Sequence, residues 1–276
     1  MYSFTSRVRF SEIDETGSLG IPALVNYLQD CSTFHSVHVG MWPDHVRESG
    51  RAWLLSAWQI EIARLPVFGD DIRVSTWATG FKGLRATRNF TVCEADDTER
   101  EHPLVRASSS WFMFDARAGR PIRIPPEEVA PYQSDIDHDA PLDLPPLPRV
   151  LRATAPGETC APVVVTAAHL DTNHHVNNAQ YVSIALGALV EWLEGKGQLP
   201  APAPDASAMS LTGFLAPDGD RRAGVSPVRM LDVHYSRAAR LGDVICPHVY
   251  HEPDGCLVVT LDDEAESPYA IVRARR

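Results

Sequence analysis

The densest polar stretch of this 276-residue sequence reads His169-Leu170-Asp171-Thr172-Asn173-His174-His175-Val176-Asn177-Asn178. It holds one carboxylate, three amides and three imidazoles directly before a predicted helix. Asn177 is a residue type favoured at helix N-caps, and Gln180 three residues later gives the pattern of a capping box. Apolar residues then recur at helical spacing up to Gly195, which predicts a core-facing helix that ends there; they are Val182, Ala185, Leu186, Leu189 and Leu193.

The same order of elements occurs 157 residues earlier. A short strand leads to a turn at Asp14, the counterpart of Asp171, and a helix opened by Pro22 follows and stops at Gly40. Leu24, Leu28 and Cys31 form its apolar stripe. Four strand-like runs come after each helix; they cover residues 53–65, 72–79, 84–94 and 106–115 in the first half, and 227–236, 243–251, 256–261 and 269–273 in the second. This repetition predicts an internal duplication of one supersecondary unit.

The repeated order also predicts the architecture. One long helix followed by antiparallel strands indicates a sheet curled around the helix, and two such units can cover their open edges by pairing side by side. We therefore expect an α+β protein whose two central helices begin near Ile21 and Asn178. The predicted boundaries are an N-terminal unit at 1–132, a linker at 133–159 and a C-terminal unit at 160–276 that contains a long loop at 195–224.

The linker is predicted from its many prolines. Between about Pro121 and Pro162 the chain includes the run Pro141-Leu142-Asp143-Leu144-Pro145-Pro146-Leu147-Pro148. Because proline lacks an N–H group and fixes its own backbone angle, regular strand pairing or helix is not expected here. The segment is predicted to lie over a surface.

Composition excludes several classes of protein. A net charge of −11 argues against nucleic acid as a partner. No apolar run approaches the roughly 20 residues that span a bilayer, so no membrane span is expected. Five cysteines without a C-x-x-C pair indicate reduced thiols, not disulfides or a zinc site. The first residues lack the apolar core of a signal peptide, so we expect a cytoplasmic protein. No cofactor is expected.

The polar stretch carries the candidate catalytic residues. If alternate residues point the same way, Asp171, Asn173 and His175 face one pocket. A carboxylate and an imidazole can position and deprotonate water, and an amide can hold water or a carbonyl. The start of the helix offers free N–H groups to a developing oxyanion.

Two other interpretations of these residues stay open. Asp and Asn before a helix are often only turn formers and caps, although that does not explain the histidine. A metal site at His169, His174 and His175 is disfavoured, because adjacent histidines point to opposite faces and no cysteine is close.

The string from Asp171 to Tyr181 resembles the D-x-N-x-H-V-N-N-x-x-Y signature of the acyl-acyl carrier protein (acyl-ACP) thioesterases of plants and bacteria. The stretches 11–17, 27–30 and 106–111 also resemble parts of that family. The resemblance implies a tandem double hotdog fold, with two long central helices each wrapped by an antiparallel sheet. It also implies catalytic positions at Asp171, Asn173 and His175. The implied activity is hydrolysis of fatty acyl thioesters, on ACP or coenzyme A, to free fatty acid and thiol in fatty acid biosynthesis.

The sequence departs from that family at one position. The family shows a Y-x-x-E-[CA] pattern after the long loop, whereas this chain reads Tyr235-Ser236-Arg237-Ala238-Ala239. Ala238 thus stands where a glutamate with a catalytic or water-orienting role is expected. The alternative function is a non-catalytic hotdog protein that binds acyl groups or acyl carriers. Related hotdog hydratases place a histidine five positions after the aspartate, where this chain has Val176, so dehydration is disfavoured.

The remaining predictions concern the substrate. An acyl chain needs an apolar tunnel, for which Trp53, Trp58 and Trp77 are candidates. Trp53 and Trp58 are an odd number of positions apart, so a regular strand would turn only one of them inward. An acidic acyl carrier protein is predicted to dock on a surface patch made by Arg85, Arg88, Arg221 and Arg222. A homodimer is an open alternative to a monomer.

Overall fold

The computed structural model describes residues 1–197 and 228–276. Within these ranges the first unit contains β1 (Tyr2–Arg7), β2 (Arg51–Ile62), β3 (Asp71–Lys82), β4 (Arg85–Glu94), β5 (Val105–Asp115) and β6 (Arg120–Ile122). The second unit contains β7 (Gly157–Thr159), β8 (Val163–Val164), β9 (Met230–Tyr235), β10 (Val244–His251), β11 (Leu257–Asp262) and β12 (Pro268–Arg275). The helices are α1 (Ile21–His38), α2 (Asp44–Ser49), α3 (Pro126–Val129), α4 (Gln133–His138) and α5 (Asn178–Gly195).

All described strands belong to one antiparallel sheet whose order displays the duplication. The first unit contributes β1-β3-β4-β5-β2 and the second continues with β9-β12-β11-β10-β7. The two units join where β2 pairs with β9, from Ala57 opposite His234 to Glu61 opposite Met230. The predicted duplication and side-by-side pairing are therefore confirmed, with the strands close to their predicted places.

The two long helices lie on one face of this sheet, called here the inner face. Each has 18 residues, and both begin where the sequence predicted. Leu24, Leu28 and Cys31 of α1 are fully buried, as their helical spacing indicates. The α5 N-cap is Asn177, whose side-chain oxygen accepts the N–H of Ala179 at 2.8 Å.

The predicted capping box is not formed within the described residues, because the Asn177 side chain accepts the N–H of Ala179 and the Asn177 N–H donates to the His169 carbonyl. Gln180 reaches Asn177 through its backbone N–H, which donates to the Asn177 carbonyl at 2.9 Å. The C-terminal end is as predicted: α5 ends at Gly195, and the left-handed glycine that follows it is Gly197, with φ of 62°.

The segment after α3 crosses the other face of the sheet, called here the outer face. The Ala140 carbonyl accepts the Trp77 indole N–H at 3.1 Å, and the Leu142 N–H donates to the Asn89 side chain at 2.9 Å. The expectation of no regular structure here is wrong in places, since β6, α3, α4 and β7 lie between 120 and 159. Pro126 is tolerated because it occupies the first turn of α3.

The boundaries 1–132, 133–159 and 160–276 stay predictions. Nearly all of the predicted loop 195–224, together with Arg221 and Arg222, lies outside the described residues.

A β-bulge decides the direction of two tryptophans. The pairing of β2 with β5 shifts between Leu55 and Ala57, so that Ser56 is an extra residue. One extra residue reverses the alternation, and Trp53 and Trp58 therefore point to the same, inner face. The expectation that only one of them turns inward is wrong for this reason. Trp77 lies on the outer face beneath the Ala140 carbonyl, so its prediction as a tunnel residue is also wrong.

Candidate active site

The turn before α5 is organised by the side chain of Asp171. Its Oδ1 accepts the backbone N–H groups of Asn173 at 2.8 Å and of His175 at 3.3 Å. The Asp171 N–H in turn donates to the His175 carbonyl at 2.8 Å. An aspartate side chain that accepts hydrogen bonds from the backbone N–H groups of the residues after it stabilises a tight turn. The residue between Asn173 and His175, His174, takes a left-handed conformation with φ of 58°.

The prediction that the side chains of alternate residues point the same way is wrong for this segment. The segment is a turn with a left-handed residue, so alternation does not apply to it. The Asp171 carboxylate points back onto the turn, where its Oδ2 also lies 3.4 Å from the Asn173 side-chain nitrogen. Asn173 is exposed and His175 is half-buried. Among the described residues the His175 ring has no hydrogen-bond partner.

The first turn of α5 supplies one free donor. The N–H of Asn177 donates to the His169 carbonyl at 2.9 Å, and the N–H of Ala179 is held by the Asn177 cap. The N–H of Asn178 has no acceptor in the two described ranges. A free N–H at a helix N-terminus carries partial positive charge and suits a developing oxyanion.

The first unit reaches this turn through α1. The Asn178 side-chain amide donates to Gln29 Oε1 at 2.8 Å. The carbonyl of Asn178 accepts the Tyr235 hydroxyl of β9 at 3.1 Å. Burial raises the pKa of Tyr235 well above its usual range, which keeps this hydroxyl a donor. The candidate site therefore lies at the junction of the two units.

Residues 1–132 match the family model of the acyl-ACP thioesterase N-terminal domain. The predicted resemblance to the acyl-ACP thioesterases is confirmed. The palmitoyl-acyl carrier protein thioesterase of Gossypium hirsutum is 26% identical over 271 residues, which cover 94% of this chain and 62% of the relative. The dodecanoyl-ACP hydrolase of Umbellularia californica is 28% identical over 65% of this chain and 48% of its own length. The chain thus spans about three-fifths of the length of the first of these curated relatives.

Solved structures show the same fold. A putative oleoyl thioesterase from Lactobacillus plantarum superposes with a TM-score of 0.74 and 23% identity, over 99% of this chain and 94% of its own. The 12:0-ACP thioesterase from Umbellularia californica gives a TM-score of 0.72 and 19% identity, over 99% and 96% of the two chains. The α+β, tandem double hotdog fold predicted from the resemblance is therefore confirmed.

The departure from the acyl-ACP thioesterase signature lies beside the turn. Ala239 is fully buried, its N–H donates to the Tyr181 hydroxyl at 2.7 Å, and its carbonyl accepts the Val176 N–H at 2.9 Å. These two bonds place the exposed Ala238 next to the Asp171 turn. A methyl group thus occupies the position where the acyl-ACP thioesterase pattern has a carboxylate.

The neighbouring histidines have other surroundings. His169 Nδ1 accepts the Thr166 backbone N–H at 3.0 Å, which fixes the short turn that precedes Asp171. His174 is exposed. In the part of the chain that the structure describes, no three His, Cys, Asp or Glu side chains are grouped so as to hold a metal ion. None of the helices described is long and apolar enough to cross a membrane.

Two site features escaped the sequence analysis. Gln29 lies 149 positions from its partner Asn178, and no local pattern connects them. The free N–H of Asn178 was expected only as one of several at the helix start. The stretch 27–30 was noticed for its family resemblance, which is the one signal that indicated Gln29.

Proposed function

We propose that this chain hydrolyses fatty acyl-ACP thioesters and releases a free fatty acid and the carrier thiol. The observation that carries the proposal is the Asp171 turn, which presents an imidazole and an amide beside a free helix N–H. The names of the relatives, acyl-ACP thioesterases and hydrolases, support this substrate class. Acyl-coenzyme A as a second substrate, a homodimer and a cytoplasmic location remain parts of the proposal.

His175 is assigned as the general base. Its ring nitrogen removes a proton from a water molecule, whose oxygen attacks the thioester carbonyl carbon. The carbonyl oxygen becomes an oxyanion, which the N–H of Asn178 stabilises. When the tetrahedral intermediate collapses, the carbon–sulfur bond breaks and the thiolate takes the proton from His175. The amide of Asn173 orients the water or the carbonyl.

Asp171 is assigned a positioning role. Its Oδ1 already accepts two backbone N–H groups, and these bonds set the distance between Asn173 and His175. The carboxylate therefore acts through the turn instead of through the water. This assignment separates the three predicted catalytic residues into one that shapes the site and two that contact the substrate.

The test compares the wild type with His175→Ala on a long-chain acyl-ACP. We expect a loss of about 10²-fold or more in the hydrolysis rate, the size of a lost general base. Thr172→Ala is the matched control, because Thr172 is an exposed member of the same turn. It should hydrolyse the substrate at nearly the wild-type rate.

The alternative function rests on Ala238. If this methyl group marks a degenerate site, the chain binds acyl-ACP without turnover. The wild type would then be no faster than His175→Ala, while both would still bind the acylated carrier in a fluorescence anisotropy titration. That outcome would reject hydrolysis and favour the binding protein.

A further inference from the structure

Four exposed cations gather at one end of the first unit. They are Lys82, Arg85, Arg120 and Arg123, called here the hairpin patch. Within residues 1–197 and 228–276, none of the four has a carboxylate oxygen within ion-pair distance. The chain as a whole has a net charge of −11, so this patch is a local exception. An uncompensated basic patch on an acidic protein is suited to a negatively charged partner.

The fold brings these cations together at an energetic cost. Gly83, with φ of 66°, makes the tight turn between β3 and β4 and sets Lys82 directly opposite Arg85. The N–H of Ile124 donates to the Gly83 carbonyl at 3.0 Å, which ties the segment carrying Arg120 and Arg123 to the hairpin. Like charges directly opposite each other destabilise a strand pair. A partner that neutralises them would offset this repulsion.

An apolar cleft lies inside the patch. It has a volume of about 500 Å³, and Lys82 and Arg123 form part of its rim. Its apolar lining includes Phe81, Ile124 and Val129. The exposed Leu84 at the hairpin tip adds apolar surface beside it. An apolar centre with a charged rim is the composition of a protein-docking surface.

The patch lies at the same end of the sheet as the candidate active site. Arg85 pairs with Phe112 of β5, and Phe112 pairs with Leu54 of β2. β9 runs beside β2 and ends at Tyr235, close to this level, just before the segment that contacts the Asp171 turn. From β4 to β9 there are three strand spacings, or about 14 Å. An extended prosthetic arm can cover such a separation.

We propose that the hairpin patch docks the acidic acyl carrier protein whose arm delivers the thioester to the Asp171 turn. This proposal rests on the proposed function and names the surface that the partner uses. It corrects the patch predicted from the sequence. Arg88 is buried and donates to His35 Nδ1 at 2.8 Å, so it is no surface residue. Of the two predicted residues that the structure describes, Arg85 lies in this patch, while Arg221 and Arg222 lie outside the described residues.

The experiment uses Lys82→Glu and Arg123→Glu, assayed with one acyl chain on two carriers. On acyl-ACP we expect kcat/KM to fall about fivefold or more for each variant, with less dependence on salt, because charges at an interface rim act on association. On the same acyl chain attached to uncharged pantetheine, both variants should keep the wild-type rate. Arg9→Glu is the control, because Arg9 is also exposed, lies near the opposite end of the first unit and, unlike the patch cations, already pairs with a carboxylate among the described residues, that of Glu12 at 3.5 Å.

Each outcome decides the proposal. Equal losses on both substrates, losses as large for Arg9→Glu, or no loss on acyl-ACP would overturn it. If the wild type hydrolyses no thioester, the proposed function fails, and anisotropy with a labelled acyl carrier protein then tests docking alone. Weaker binding for the two variants supports docking, and unchanged binding rejects it. Thermal unfolding and the alanine variants at both positions control for folding.

Discussion

The two turns that precede the long helices have the same backbone and different side chains. In the first, Asp14 Oδ1 accepts the N–H groups of Thr16 at 2.9 Å and of Ser18 at 3.2 Å. In the second, Asp171 does the same for Asn173 and His175. The aspartates are 157 positions apart, and so are the first residues of the helices that follow. The aspartate is therefore a feature of the fold and occurs with or without the histidine.

The difference lies in what each turn leaves free. Thr16 Oγ1 is satisfied within the first turn, by Asp14 Oδ1 at 2.6 Å and Ser18 Oγ at 3.0 Å, and Ser18 is buried. The second turn instead presents the exposed amide of Asn173 and the half-buried ring of His175. In the first turn the polar side chains bond to one another, whereas in the second turn polar groups are available to a ligand. Under the proposed function, the aspartates shape the turns and His175 carries the chemistry.

The largest effect is expected from removing each aspartate in turn. Asp171→Ala should lower the hydrolysis rate about 10²-fold, because His175 and Asn173 lose their relative positions. It should also reduce the free energy of unfolding by about 1 kcal/mol through the two lost N–H acceptors. Asp14→Ala should give a similar loss of stability with nearly full activity. Urea unfolding measures the stability of both variants, and the acyl-ACP assay measures their activity. Equal losses of activity in the two variants would contradict the difference between the two turns.

The two long helices also carry different side chains at equivalent positions. His35 of α1 corresponds to Trp192 of α5, and His35 is buried beside Arg88. Burial, together with the Arg88 charge, lowers the pKa of His35 to about 3, although the nearby Asp135 acts in the opposite direction. Because the folded pKa is lower than the unfolded value, the unfolded chain binds more protons between about pH 6.5 and pH 3. The free energy of unfolding should therefore fall as the pH decreases through this range, by at most about 1.4 kcal/mol per pH unit from this group.

His35→Phe tests this titration. The variant should lose part of the dependence of stability on pH below about pH 6.5, while the dependence above that pH stays the same. Urea unfolding at a series of pH values measures it. His38→Phe on the same helix is the control, because His38 is an exposed histidine. Identical pH profiles for wild type and His35→Phe would contradict the assignment.

A smaller effect is expected at Gly17, the left-handed residue of the first turn. Gly17 has φ of 81°, and a Cβ added there would meet no atom within 4 Å. Gly17→Ala should therefore lower the unfolding free energy by about 1 kcal/mol for conformational reasons alone. Gly17→Asn should cost less, because asparagine tolerates this conformation. Equal stability of the glycine and alanine proteins would show that the first turn is not held as described.

The smallest effect is expected at position 238. Because a thioester is already an activated acyl group, one general base and one oxyanion donor can suffice for its hydrolysis. Ala238→Glu adds a carboxylate beside the turn and should raise the rate several-fold at most, or leave it unchanged. Ala238→Gln is the uncharged control of similar size. A gain from a negligible wild-type rate to a high one would show that the missing glutamate had abolished catalysis.

The sequence predicted the elements that local patterns determine. Apolar spacing and caps located both long helices to within two residues, and the repeated order of strands gave the duplication. Features that depend on pairing between distant strands escaped prediction, such as the bulge at Ser56 that turns both Trp53 and Trp58 inward. Arg88 was predicted at the surface because arginines are mostly exposed, yet β4 turns it toward His35.

The sequence analysis selected the candidate residues but did not predict how their side chains are arranged. Asp171, Asn173 and His175 are brought together in one turn, while the alternation used to align them fails at the left-handed His174. The contact of Asn178 with Gln29 requires the packing of two helices from different units. No spacing within either helix could have shown it.

The central claim is that Asp171 shapes the turn while His175 moves the proton, and Asp171→Asn tests it most directly. The asparagine oxygen can still accept both backbone N–H groups, but it cannot act as a base. The account predicts that single-turnover hydrolysis by Asp171→Asn stays within about tenfold of the wild type with an unchanged pH profile, whereas His175→Ala loses about 10²-fold or more. If Asp171→Asn is as slow as His175→Ala while remaining folded, the carboxylate takes part in the chemistry and the account is wrong.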